Sequence, residues 1–364
     1  MQSPLFSSFN LGALSLPNRV VMAPMTRSRS TPDHVPTPIM ATHYAARADA
    51  GLLITEGTAP DANGCGYPRI PGLWSDAQVD AWRVVTDAVH AKGGRIAAQL
   101  MHTGRVGHPL NLPDGARLLA PSAVALDGEM YTDQQGPQAH PLASPMTEAD
   151  IEAAIAGYVH AARNAVAAGF DMVELHGANG YLIDQFLSPN TNTRDDQWGG
   201  DITGRARFAL AVARQVTAAI GAERVGIRLS PLGVFNGITP WDGADSDFIW
   251  LAQELGRLHL AYLHIVDHSS MGAPAVPDAL KAGMREAFGG SIILSGGYDR
   301  ARADADLAAG KGQLVAFGRP FLANPDLVTR LQAGAALNAP DFGTFYTPGE
   351  RGYNDYPALS QVSP

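Results

Sequence analysis

The chain has 364 residues, 46% of them hydrophobic, and a formal net charge of -9 from 26 basic and 35 acidic residues. That is enough apolar material for a large core, and an acidic balance without a basic stripe excludes an electrostatic nucleic-acid binder. A lone cysteine, Cys65, excludes an internal disulfide and a cysteine-ligated cluster within one chain.

No Lys or Arg precedes Arg19, so the charged start of a signal peptide is missing. No apolar run approaches the ~20 residues that span a bilayer. The expectation is a cytoplasmic protein with no membrane partner.

In chain order, eight short apolar or β-branched runs read as strands: Val20–Ala23, Leu52–Glu56, Arg95–Leu100, Met172–Leu175, Val225–Leu229, Tyr262–Val266, Ser291–Leu294 and Leu314–Phe317. Most are continuously apolar, as suits strands buried on both faces of a parallel sheet. The segment before Val20 reads as a small hairpin closing the barrel bottom.

Helical patterns lie between these runs. Ser75 and Gln78 form a capping box before Val79–His90, and Gly93 follows as a stop. Thr147 opens a helix with Ile151, Ile155, Tyr158, Val159, Ala162 and Val166 on one face, ended by Gly169. Asp245 precedes a third pattern through Leu258. Near the end Asn324 reads as a cap, Pro325 as the first helical residue and Gly334 as the stop.

Eight strands alternating with helices predict an α/β fold, a single (β/α)8 TIM barrel over residues 1–364. A G-x-G-x-x-G after a strand would favour a Rossmann sheet, and none is found. His102 to Thr147 is a long connection after the third strand, without a clear helix. It is either a surface excursion or a pocket wall.

Barrel chemistry sits at the C-terminal strand ends. There the chain places Pro24-Met25-Thr26, Glu56-Gly57, Gln99 with Met101, His176 with Asn179 and Tyr181, Arg228, Gly296-Gly297, and Gly318-Arg319. The two glycine-bearing ends with Arg319 suit a phosphate. Arg228 and Gln99 are polar within apolar strands. Arg228 is either ion-paired to Glu56 or Glu174, or faces a flavin edge that becomes negative on reduction. His176 and Asn179 could clamp one carbonyl oxygen, and Tyr181, protonated at neutral pH, could act as a general acid.

The run from His176 to Leu182, continued through Gln185–Pro189, Asn192, Arg194 and Gly199-Gly200, resembles the old yellow enzyme family of FMN ene-reductases. It is most similar to bacterial N-ethylmaleimide, xenobiotic and glycerol-trinitrate reductases. Leu16–Arg19, Ala23–Arg27, His102–Arg105, Ala316–Pro320 and Gly352–Pro357 carry the resemblance across the chain.

The resemblance implies non-covalent FMN reduced by NADPH or NADH, and electron-poor alkenes as substrates: enones, maleimides, nitroalkenes or nitrate esters. It implies that Pro24, Met25, Thr26, Gly57, Gln99 and Arg228 contact the flavin ring, and that Gly296, Gly297, Gly318 and Arg319 hold its phosphate. His176 and Asn179 would bind the substrate oxygen with Tyr67 and Met101 nearby, and Tyr181 would donate the proton. Met101 stands where relatives often carry Trp, Gly57 where Ala is common, and Trp198 where Tyr is frequent. These departures bear on substrate preference.

Two other readings compete. One is a metal-dependent barrel hydrolase, suggested by His264 and His268. The other is a flavin-binding protein without turnover. No metal is expected, and the sequence leaves the oligomeric state open.

Overall fold

The computed structural model describes residues 3–361, so residues 1–2 and 362–364 of the expected domain lie outside the described residues. Strands β1 (Phe9–Leu11) and β2 (Leu14–Leu16) form an antiparallel hairpin. Then come β3 (Val20–Met22), α1 (Pro38–Ala45), β4 (Leu52–Ile54), α2 (Asp76–His90) and β5 (Ile96–Leu100). An excursion carries β6 (Leu119–Ala120), β7 (Glu129–Thr132), β8 (Gly136–Ala139) and β9 (Ser144–Pro145). The chain continues with α3 (Glu148–Ala167), β10 (Met172–Gly177), α4 (Leu182–Leu187), α5 (Ile202–Arg205), α6 (Arg207–Ile220) and β11 (Val225–Leu229). It ends with α7 (Ala244–Gly256), β12 (Tyr262–Val266), α8 (Asp278–Phe288), β13 (Ser291–Ser295), α9 (Arg300–Ala308), β14 (Leu314–Phe317), α10 (Arg319–Ala323) and α11 (Leu327–Ala333).

Strands β3, β4, β5, β10, β11, β12, β13 and β14 pair in parallel, and β14 closes on β3, making the expected (β/α)8 barrel. The barrel strands are buried along their length, apart from the half-buried Ser291, which is why their sequences run apolar without alternation. The hairpin contributes Leu11 and Leu16 to the inner core, with Val21, Leu52, Ile54, Met172, Tyr262 and Leu314. It closes the barrel bottom as expected. The outer core lies between strands and helices, where Trp82, Tyr158, Phe186 and Phe208 are fully buried.

The two helix starts and their glycine stops form as the sequence predicts. Ser75 accepts from the Gln78 N–H and the reciprocal bond is present, and Thr147 forms the same box with Asp150. Gly93 and Gly169 take positive φ after their helices. Asp245 lies inside the first turn of α7, which Gly243 precedes.

Several expectations need correction. The second strand stops at Ile54, not Glu56. Beyond it, Tyr44 Oη accepts from the Glu56 N–H, and the Glu56 carboxylate accepts from the Arg27 and Ser28 N–H groups, so the chain turns out of the sheet. The fourth strand runs on to Gly177, so His176 lies within it, in register with Arg228. The last helix starts at Leu327, after the short α10. Asn324 spends its amide on Pro320 O and accepts from Asn338 N–H, stapling a loop in place of capping a helix at Pro325. Gly334 does end the helix, at φ 64°.

The connection from His102 to Thr147 is not structureless. Its β7–β8 hairpin stands beside the barrel mouth, and Arg105 pins its early part through Val124 O and Ala125 O. In the same motif Gly104 takes φ 62°, and a Cβ there would fall 2.1 Å from Gln185 Oε1. That close approach is why the turn needs glycine.

Candidate active site

A cavity of about 740 Å³ opens at the C-terminal end of the barrel, within the usual size of a cofactor site. Its wall collects Pro24, Met25 and Thr26 after β3, Gly57 after β4, Gln99 and Met101 at β5, and His176, Asn179 and Tyr181 at β10. Arg228 of β11, Gly296 and Gly297 after β13, and Gly318 and Arg319 after β14 complete it. Positions scattered over 295 residues of sequence thus converge because all eight strands point the same way.

Tyr67 lies outside this wall. It lines an adjoining cavity of about 710 Å³ and hydrogen-bonds Tyr181, Oη to Oη, at 3.0 Å. Thr26, Tyr181, Phe342 and Tyr346 border both cavities. The latter two belong to a C-terminal segment that sequence reading did not assign to the site. Arg27 donates to Phe345 O and Gly352 O, and Arg29 to Thr344 O, Phe345 O and Arg351 O. The two arginines therefore anchor the segment from Thr344 to Gly352, and Phe342, Phe345 and Tyr346 of the neighbouring aromatic run reach the cavity. Phe235 and His268, whose rings meet edge-on at 4.5 Å, also line the wall.

His176 is almost fully buried, and its Nδ1 has no partner within the chain. Burial, with Arg228, His264 and His268 adding to it, pushes its pKa well below the ordinary histidine range, so the ring is neutral at pH 7. Asn179 takes the left-handed conformation at φ 63°. Its N–H donates to Ser230 Oγ at 2.9 Å and its carbonyl accepts from Asn236 Nδ2 at 2.7 Å, which fixes the unusual backbone. The Tyr181 ring meets His176 edge-on at 5.0 Å. Burial raises the Tyr181 pKa, and the phenol keeps its proton at neutral pH.

At the opposite wall Gly296 and Gly297 have φ of 131° and 61°. A Cβ on Gly296 would fall 2.0 Å from Asp267 O, so only glycine fits. A Cβ on Gly318 would meet the Met25 sulphur at 3.6 Å, an ordinary contact. Arg319 follows it at the start of α10.

The residues fit a flavin mononucleotide. His176 Nδ1, Asn179 Oδ1, Arg228 Nε and His268 Nδ1 are buried polar atoms without chain partners, and all four residues line the cavity. Unpaired buried groups of this kind cost about 1–3 kcal/mol each, and a polar heterocycle can satisfy them. The cavity also offers two glycine turns and a guanidinium to a phosphate.

Of the two ion pairs considered for Arg228, neither reaches contact distance among the described residues. Glu174 nonetheless exerts the principal attraction on it. His264 Nδ1 bonds Glu174 at 2.8 Å and its Nε2 has no partner, but among the described residues no group of three or more His, Cys, Asp or Glu could hold a metal ion with it.

The chain matches the NADH:flavin oxidoreductase / NADH oxidase family model over residues 4–338. It is 46% identical to a chanoclavine-I aldehyde reductase of Penicillium roqueforti, covering 97% of this chain and 95% of the relative. It is 42% identical to a probable flavin mononucleotide-dependent alkene reductase of Leishmania infantum, covering 96% of each. A structure of morphinone reductase in complex with tetrahydroNAD superimposes with a TM-score of 0.91 at 47% identity, covering 98% of this chain and 97% of that one.

Proposed function

The chain belongs to the NADH:flavin oxidoreductase / NADH oxidase family and is an FMN-dependent, NAD(P)H-driven ene-reductase of the old yellow enzyme type; from that premise we propose that His176, Asn179 and Tyr181 carry out its chemistry on electron-poor alkenes. The observation that carries this reading is their meeting in one wall of the cavity, with neutral His176 in register with Arg228.

Bound FMN supplies the hydride relay between the nicotinamide and the alkene. Pro24, Met25, Thr26, Gly57, Gln99 and Arg228 hold the ring in this reading, and Gly296, Gly297, Gly318 and Arg319 hold the phosphate. Arg228 supplies positive charge where negative charge accumulates. Neutral His176 and the Asn179 amide donate to the substrate's carbonyl or nitro oxygen and stabilise the enolate-like charge that develops there. Tyr181 then delivers its proton to the α-carbon, and Tyr67, donating to Tyr181 Oη, stabilises the phenolate left behind.

The substrate class follows from the oxygen clamp: α,β-unsaturated carbonyls first, then maleimides, nitroalkenes and nitrate esters. The adjoining cavity gives room for molecules larger than a single ring, in keeping with relatives named for chanoclavine-I aldehyde and morphinone. We read residues 1–364 as one FMN-binding unit acting on small molecules in the cytoplasm, with neither nucleic acid nor membrane as partner. The net charge of -9 supports this, and no helix among the described residues is long and apolar enough to cross a membrane.

The test is an anaerobic visible spectrum of the purified protein, first with NADPH and then with 2-cyclohexenone. Loss and recovery of the flavin colour supports the reading. Loss without recovery would rule out simple enones and redirect the search to nitro compounds.

A further inference from the structure

Beneath the cavity wall, in the barrel interior, lies a carboxylate that the mechanism does not use. Glu174 is fully buried in β10. Its Oε1 accepts from Gln99 Nε2 at 2.8 Å and its Oε2 from His264 Nδ1 at 2.8 Å. Burial pushes this carboxyl up, but His264, Arg228 and Gln99 together outweigh burial and hold it below the usual range. It is therefore ionised. Neither Glu174 nor His264 lines the cavity, whereas Gln99 and Arg228 both do.

We propose that Glu174 is a positioning residue of the flavin site, fixing the Gln99 amide and balancing the Arg228 charge, and that it thereby sets the reduction potential of the bound flavin. The proposal rests on the placement of Gln99 and Arg228 at the flavin ring.

Two consequences of the geometry support it. First, an amide side chain can turn over and exchange its donor and acceptor ends. A carboxylate only accepts, so Glu174 commits Nε2 of Gln99 inward and leaves Oε1 as an acceptor for the cavity. His264 occupies the other carboxylate oxygen and prevents it from swinging away. Second, a lone guanidinium in a buried site would strongly favour a negatively charged, reduced ligand. The nearby carboxylate cancels part of that field. Without Glu174, Arg228 would overstabilise the reduced state and slow the onward transfer of electrons.

The network also accounts for a glycine in the neighbouring strand. Gly226 pairs with Glu174 in register, and a Cβ there would fall 2.2 Å from the Tyr262 ring. Tyr262 fills that space, and Glu174 raises its pKa after burial does. The carboxylate is thus fully buried, with the Tyr262 ring filling the space at the neighbouring strand.

The test measures the midpoint potential of the FMN-loaded protein by dye-coupled anaerobic titration, together with the FMN dissociation constant. Glu174→Gln removes the charge at constant size. It should move the potential positive and weaken FMN binding several-fold, because a second amide cannot accept from both Gln99 and His264. Glu174→Asp keeps the charge and should leave the potential near that of the parent. His264→Leu removes the donor that most strongly holds this carboxyl ionised, so the carboxyl takes up a proton and the potential should move positive, as with Glu174→Gln. This second route to loss of the charge is available even where Glu174→Gln folds poorly. Arg228→Met is the control for the flavin placement. A potential moved by Arg228→Met but by neither Glu174→Gln nor His264→Leu overturns the role of Glu174 alone. A potential unmoved by all of them overturns the placement as well.

Discussion

Met101 occupies the space beside Gly57: a Cβ on residue 57 would fall 2.4 Å from the Met101 sulphur and 2.5 Å from its terminal methyl. Two of the three positions at which the chain departs from the residues expected from the resemblance are therefore one packing unit. A flexible thioether leans into the room that the missing methyl leaves, and both residues border the cavity.

Gly57→Ala should consequently force Met101 to move and lower stability by about 1–3 kcal/mol, the usual cost of overpacking. Met101→Ala in the same chain should recover most of that loss. Thermal unfolding of the two single variants and the double variant reads the coupling. Strictly additive losses would show that the two side chains do not compete for space.

Tyr181→Phe removes the proposed proton donor while keeping the ring that packs on His176. Reoxidation of the reduced enzyme by an enone should slow on the order of 10²-fold or more. Flavin reduction by NADPH should stay within a few-fold of the parent. Stopped-flow absorbance separates the two half-reactions, and an equal loss in both would refute the role. Tyr67→Phe should give a smaller effect in the same half-reaction, because it removes the bond to Tyr181 but not the proton.

His176→Ala and Asn179→Ala should each weaken enone and phenol binding by about 10- to 100-fold, the worth of a hydrogen bond to a charged or charging oxygen. Ligand titration followed by flavin absorbance measures this. Undiminished affinity in both variants would remove the clamp.

Asp184 carries a pH signature. Burial pushes its carboxyl up to about 7, against hydrogen bonds from Gly180 N–H at 2.8 Å and Ser230 Oγ at 3.4 Å. Its folded value lies above the unfolded value of about 3.9, so the folded state keeps a proton that the unfolded state releases. The contribution is fully present below about pH 4 and is lost as the pH rises towards 7. Asp184→Asn should flatten the fall in stability over that window, measured as the denaturation midpoint at pH 4.5 and 7.5. A parent and variant with equal slopes would contradict it.

Much of the architecture was legible from residue order. A parallel strand buried on both faces has to be apolar throughout, so eight runs could be read as eight strands. Ser75 and Thr147 cap through side chains that reach only three residues ahead, so their roles appear in local sequence. The strand-end candidates were legible for a related reason. Once strands are parallel, all their C-terminal ends share one face, and the polar or glycine residues just there must share it too.

What remained hidden was which side chain meets which. Gln99 and Glu174 are 75 residues apart, Glu174 and His264 are 90 apart, and Tyr67 and Tyr181 are 114 apart. Arg29 reaches the C-terminal segment across 315 residues or more. These contacts depend on the relative stagger of neighbouring strands and on where the excursion and the C-terminal segment fold back over the barrel mouth. Hydrophobic periodicity is set within a few residues and carries no information about stagger. The sequence by itself thus determined the strands, the caps and the face on which the chemistry lies. Only barrel closure decided that Glu174 would sit beneath Gln99 and Arg228, and that Met101 would lean over Gly57.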